Sequence, residues 1–251
     1  MVVLTKSAIY AARVAGPSAS GRLWPGEQAG VLRSTPPTAL LVMCRARHEA
    51  LATIHRIWMR RGRVRPGVVC AAWSNAWIRA GGESEPDPAG LAWLYGYVAE
   101  NPLVGPGSGR RIVAVEHRLR ARFAGFEWQA QPDVLLETAD GTIVAVELTS
   151  ARNPLLDRQA VCTMAAIDQL VLAGPQAPAC LRARPHLVVV CALPSYGETN
   201  VTLPWASVVA TLIDAARYFA SPGVGSARAR WDVPPMHTTC FAPNARTRGP
   251  P

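Results

Sequence analysis

Lysine is nearly missing from this chain. Lys6 is the only one, although Lys and Arg together number 26 against 17 Asp and Glu. The positive charge is therefore arginine charge, and the planar guanidinium suits phosphate oxygens, so a polyanionic partner is one expectation. A G+C-rich coding sequence also yields an Ala- and Arg-rich, Lys-poor chain, and composition alone is the other reading. Closely spaced cysteines are missing as well. Cys44, Cys70, Cys162, Cys180, Cys191 and Cys240 contain no C-x-x-C pair. This spacing excludes a zinc ribbon and leaves buried reduced thiols as the simplest expectation, with a cluster drawn from distant cysteines as the other. No apolar run approaches the roughly 18 residues of a membrane span. Neither a G-x-S-x-G elbow nor a Walker-type phosphate loop is present, which disfavours a Ser–His–Asp hydrolase and a P-loop enzyme. Acids are missing from the first 26 residues, which carry Lys6, Arg13 and Arg22, a weak likeness to an organelle transit peptide. A soluble intracellular protein is the default expectation.

What is present describes a globular protein. Hydrophobic residues make up 49% and charged ones 17%, enough apolar material in 251 residues to bury one sizeable core. The stretch 14–37 is rich in Gly, Pro and Ser, so residues 1–37 read as a flexible leader. The Pro-, Gly- and Arg-rich stretch 221–251 reads as a disordered tail. One domain is expected over 38–220, with a helical part at 38–110 and an α/β core at 111–220.

Periodicity places the elements. Leu40, Cys44, His48, Leu51, Ile54 and Trp58 recur at steps of three and four, predicting a helix from a Thr38 cap to Arg61, with Gly62 after its end. A second helix is expected over 68–80, and a third from Asp87 and Pro88. Residues 111–123 alternate like one strand, with Val113, Val115, Leu119 and Phe123 on one side and Glu116, Arg118, Arg120 and Arg122 on the other. A hairpin follows at 132–149, then a helix over 154–172 capped by Asn153. The apolar run from His186 reads as a strand covered on both faces, and 204–220 as a closing helix. Helices, three strands, helix, strand and helix imply a mixed α/β sheet with a crossover.

The hairpin "PDVLLETADGTIVAVELTSARN" carries the chemistry. A three-residue loop at Ala139, Asp140 and Gly141, with glycine where φ is positive, pairs residue 138 with 142 and puts Asp133 opposite Glu147. Alternation adds Thr149 to their face and sends Val134, Leu136, Val144, Val146 and Leu148 to the other. Two carboxylates directly across a strand pair repel one another, and a cation relieves that. Hard oxygen ligands suit Mg²⁺ or Mn²⁺.

These residues resemble the PD-(D/E)XK nuclease superfamily, in its RecB-like branch. The matching pieces are Glu116, Pro132-Asp133, Glu147-Leu148-Thr149, Gln159 and, on the leading helix, His48, and the resemblance spans roughly 38–220. It implies a restriction-endonuclease-like mixed sheet flanked by helices and metal-dependent hydrolysis of DNA. Asp133 and Glu147 would hold the metal with His48 completing the site, and Glu116 would assist through a water or a second ion. Arg118, Arg120, Arg122 and Arg152 would meet DNA, and a helicase or other nucleic-acid-processing protein would be a fitting partner. Two positions depart from the pattern. Thr149 stands where the family has its water-activating lysine, and Thr163 stands where an aromatic residue is common. Threonine binds a water but supplies neither positive charge nor a base near neutral pH.

Each candidate has a structural alternative. Glu147 can pair with Arg118 or Arg152, Glu116 can belong to a solvated ion-paired row, and His48 can be a satisfied core histidine. Gln159 can cap its helix, and Trp73, Trp77, Trp93, Tyr95 and Tyr97 can pack a core instead of stacking on bases. Three functions therefore stand side by side: an active nuclease, a fold relative that binds nucleic acid or protein without cutting, and a purely structural hairpin.

Overall fold

The computed structural model describes residues 3–5, 39–83, 85–105, 107–149, 158–174, 177–192 and 197–220. The expected tail, and the expected leader apart from one short strand, β1 (Val3–Thr5), lie outside them. Those three residues are paired backbone, a correction to the leader as expected from composition.

Helix α1 (Ala39–Arg61) buries the stripe read from the sequence, with Cys44, His48, Leu51, Ile54 and Trp58 all inward. Gly62 ends it at φ +66°, a left-handed position that glycine takes without strain, and donates its N–H to Trp58 O at 2.8 Å. Helix α2 (Pro66–Arg79) follows, then α3 (Pro88–Glu100). Asp87 caps α3, its carboxylate accepting from the Ala89 N–H at 3.0 Å. Trp73, Trp77 and Tyr97 are buried among these helices, so three of the aromatic residues weighed as base-stacking platforms are core. Gly90 permits the contact between α3 and α2, because a Cβ there would lie 2.3 Å from Trp73 Cζ2.

The single strand expected over 111–123 is two strands in two sheets. Strand β2 (Arg110–Val115) stops at Glu116, whose φ of +49° turns the chain, and β3 (Leu119–Phe123) starts afresh. An unanticipated β4 (Phe126–Ala130) pairs with β3 across Ala124-Gly125, both at positive φ, as a two-residue hairpin turn requires. With β1 parallel to β4, these make a three-stranded sheet in the order β1-β4-β3.

The main sheet holds β2, β5 (Val134–Thr138), β6 (Ile143–Thr149), β7 (His186–Ala192) and β8 (Gly197–Asn200), in the order β2-β5-β6-β7-β8. Strands β6 and β7 are parallel, joined through α4 (Arg158–Ala173) and α5 (Ala179–Arg182), and α6 (Trp205–Ala220) follows β8. This is the mixed α/β class expected, with the sheet flanked by helices.

Both faces of the hairpin are covered. Val134, Leu136, Val144, Val146 and Leu148 join the core of α1, α2 and α3. Leu135, Ile143 and Ala145 join a second core with Ile167 of α4 and Leu212 of α6. Each such burial contributes about 2 kcal/mol. The face assigned to the acids is thus apolar along its middle and polar at its two ends, where Glu137 pairs with Arg111 and Arg184 near the turn and the expected acids lie at the other. Polar ties hold the second layer: the Gln169 amide donates to Leu203 O at 2.9 Å and accepts from Leu203 N–H at 2.8 Å.

Cys70, Cys162, Cys180 and Cys191 are free, Cys70 and Cys180 being exposed, while Cys44 is disulfide-bonded, so the picture of buried reduced thiols fits Cys191 best. Among the described residues no helix is long and apolar enough to cross a membrane.

Candidate functional site

The hairpin register decides the site. Val134 pairs with Val146, Leu135 with Ala145, Leu136 with Val144 and Glu137 with Ile143. The Thr138 N–H reaches Thr142 O at 3.0 Å, and Gly141, at φ +83°, donates to Thr138 O at 2.9 Å. The paired positions end at Val134 and Val146, so the expected register holds from Val134 to Glu137, and Asp133 and Glu147 lie one residue past its last pair.

Asp133 sits in the bend before β5, where the pairing of the two strands ends. Its Oδ2 accepts the Leu148 N–H at 2.7 Å, standing in for a strand carbonyl at the end of the ladder. Its Oδ1 lies 3.7 Å from His48 Nδ1, an ion-pair separation. The two side chains differ in exposure, 8% for His48 and 17% for Asp133, so the aspartate is the one that meets solvent. Glu116, at the end of β2, donates its backbone N–H to Asp133 O at 3.0 Å and pairs its carboxylate with Arg56 Nη2 at 2.5 Å. Glu147 and Thr149 are both buried at 7% exposure on β6, beside Val190 and Ala192 of β7.

Electrostatics follow from this arrangement. Burial by itself would lower the His48 imidazole, but the Asp133 carboxylate, with the charge of Glu116, outweighs it and the net displacement is upward. His55, two turns further along α1, shares a 2.8 Å hydrogen bond through Nε2 with the Tyr97 hydroxyl and stacks on Trp58. There burial dominates and the imidazole is pushed down to about 4.

The structure thus brings His48, Glu116, Asp133 and Glu147 to one end of the main sheet, with Thr149 at the end of the same strand. It does not bring the arginines there as a group. Arg118, Arg120 and Arg122 are exposed, and β3, which carries the latter two, belongs to the smaller sheet. Arg120 pairs with Glu127 at 3.1 Å. Glu116 is not part of an ion-paired row with them. Its partner is Arg56, which the sequence reading missed although it lies eight residues after His48 on the same helix. Arg152 and the side chain of Gln159 lie outside the described residues.

Among the described residues no group of three or more His, Cys, Asp or Glu side chains is disposed to hold a metal ion. What the acids at this end of the sheet could hold is a hard cation that keeps most of its water and takes one or two protein carboxylates, not a closed protein cage.

No family model and no curated protein matches the chain. Among solved structures, one described as the crystal structure of SSO0001 aligns over 72% of this chain and 77% of its own, at 10% identity and a TM-score of 0.31. That likeness is too slight to carry an argument about either fold or chemistry.

Proposed function

We propose that the acid-bearing end of the main sheet is the active site of a metal-dependent nuclease that hydrolyses phosphodiester bonds in DNA. The observation that carries this reading is Asp133 at the end of the hairpin pairing, held by His48, the Leu148 N–H and the Glu116 backbone, with Glu147 one residue past the last paired position on β6. Mg²⁺ or Mn²⁺ held by Asp133 and Glu147 would supply Lewis-acid charge and a more acidic water. The chain's own residues prepare the place. The Leu148 N–H and His48 steer the Asp133 carboxylate, and Arg56 balances Glu116, so that neither of these two acids is left uncompensated where it is partly buried. Each carboxylate oxygen has two lone pairs, so the bond to Leu148 leaves Asp133 able to accept further contacts.

Thr149 favours a second reading, a protein of the same architecture that binds nucleic acid without cutting it. Its side chain is buried and brings no charge to the position. The one lysine, Lys6, lies outside the described residues.

End-labelled single- and double-stranded DNA incubated with Mg²⁺, Mn²⁺ or EDTA separates the two readings. Metal-dependent cutting that both Asp133→Ala and Glu147→Ala abolish supports the nuclease. Cutting that survives either change removes it. Wild type that binds DNA inertly, with cutting restored by Thr149→Lys, selects the second reading.

A further inference from the structure

The segment from Ala50 to Gly82 contains no acidic residue and six arginines, at 56, 60, 61, 63, 65 and 79. Two of these have partners, Arg56 on Glu116 and Arg79 on Glu49. The other four, Arg60, Arg61, Arg63 and Arg65, are exposed at the end of α1 and in the turn to α2, and among the described residues none forms an ion pair. Gly62 at φ +66° closes the turn, so four guanidinium groups crowd a few residues of backbone. Four like charges held this close repel one another and cost stability unless a counter-charge gathers over them. Elsewhere the arginines are more often engaged, Arg120 by Glu127, Arg110 by Glu198, and Arg111 and Arg184 by Glu137, which leaves Arg118 and Arg122 as a smaller exposed group around β3.

We propose that this tip is a docking surface for the phosphate backbone of nucleic acid. Arginine is the residue suited to it, since its fork grips phosphate oxygens in pairs and keeps its charge at any working pH. The turn between its two helices is Gly62-Arg63-Val64-Arg65, and the large apolar side chains exposed beside it are Met59 and Tyr95, the latter tied by its hydroxyl to Pro66 O at 3.3 Å, too few to make the broad apolar face by which a peripheral helix enters a lipid surface. Nucleic acid is therefore the polyanion it fits better than an anionic membrane. Its position matters to the site as well. Arg60 follows His48 by twelve residues on one continuous helix, about 18 Å at the usual rise. A backbone held at the tip would run about five nucleotide steps to reach the acids, at the duplex rise of about 3.4 Å per step. This deepens the nuclease reading and rests on it only in that last respect.

The test is fluorescence anisotropy of labelled duplex and single-stranded DNA in EDTA, from 50 to 300 mM salt (roughly the range over which phosphate contacts are lost). Wild type is compared with the paired variants Arg60→Gln/Arg61→Gln and Arg63→Gln/Arg65→Gln, with their combination, and with Arg217→Gln as a charge-matched control. Circular dichroism checks that each is folded, and the paired variants serve if the combination is not. We expect each pair to weaken binding about tenfold or more at low salt and the combination to flatten the salt slope by about three to four, one for each lost phosphate contact. Arg217→Gln, an exposed arginine on α6 outside both the tip and the acids, should bind as wild type does. No binding by wild type, or equal affinity and slope in folded arginine variants, overturns the proposal. So does a flotation assay with phosphatidylserine vesicles in which the arginine variants lose vesicle binding while their DNA affinity equals that of wild type. Arginine-dependent binding without any cutting leaves the docking surface standing and the nuclease reading alone refuted.

Discussion

The inward face of α1 and its finish present polar groups to opposite surroundings. On the buried face, His48 lies against Asp133, with the charge of Glu116 near it, and His55 lies against Tyr97. At its finish, Arg60 and Arg61 stand in solvent, and among the described residues neither has an ion-pair partner. The buried face must satisfy its charges within the fold, because desolvation penalises any group left alone. The exposed end is free of that demand, and what it offers is left for a partner. The contrast also exists within the buried face. His48 and His55 share one side of the helix, yet carboxylates draw the first upward while burial among aromatic rings pulls the second down to about 4.

The largest expected effect belongs to His55. Its folded value lies below the ordinary 6.5, so as pH falls from about 6.5 to about 4 the unfolded imidazole takes up a proton that the folded one refuses. That linkage costs about 3 kcal/mol of stability over the window, at about 1.4 kcal/mol per unit, and nothing above it. Urea unfolding of wild type and His55→Gln at pH 7 and pH 4 isolates it: the difference between the two proteins should shift in the variant's favour on acidification, and parallel pH slopes would remove His55 as the cause.

Next comes the aspartate. Asp133→Ala leaves the Leu148 N–H without its acceptor at 2.7 Å and should cost about 2 kcal/mol, with Asp133→Asn recovering much of it through the remaining amide oxygen. Thermal unfolding of the two variants decides; equal losses would show that the charge facing His48, and not the hydrogen bond, is what the fold uses.

The smallest effect should be at the tip. Arg60→Gln with Arg63→Gln is expected to change stability by no more than about 0.5 kcal/mol, since exposed charges without partners contribute little. A larger loss in the same unfolding measurement would mean that the tip is tied to the fold and is not reserved for a ligand.

Much of this was legible in the chain, and the failures have identifiable causes. The hairpin could be read because period-two burial and Gly141 jointly specify one register, and a slip by one residue would exchange its two faces. Helix α3 could be read because Asp87-Pro88 is a cap followed by a first-turn proline. The break at Glu116 could not, because Val113 to Phe123 alternates equally well as one strand or as two, and alternation does not say which sheet a strand joins. Strand β4 went unseen because Ala124-Gly125 makes a two-residue turn with alanine where glycine or asparagine usually signals one. The pair of Arg56 and Glu116 is sixty positions apart and leaves no local pattern.

By itself, then, the sequence determined many of the local alternatives: which segments coil, which extend, and the register of the hairpin from Val134 to Glu137. Those depend on forces between near neighbours, which the order of residues already contains. Only the tertiary structure decided that both faces of the hairpin are buried, that α1 carries His48 and Arg56 to the acids, and that Arg120 and Arg122 stand on a different sheet. These are contacts between distant segments, and burial, which sets what a charge costs and what partner it needs, exists only once the layers have packed.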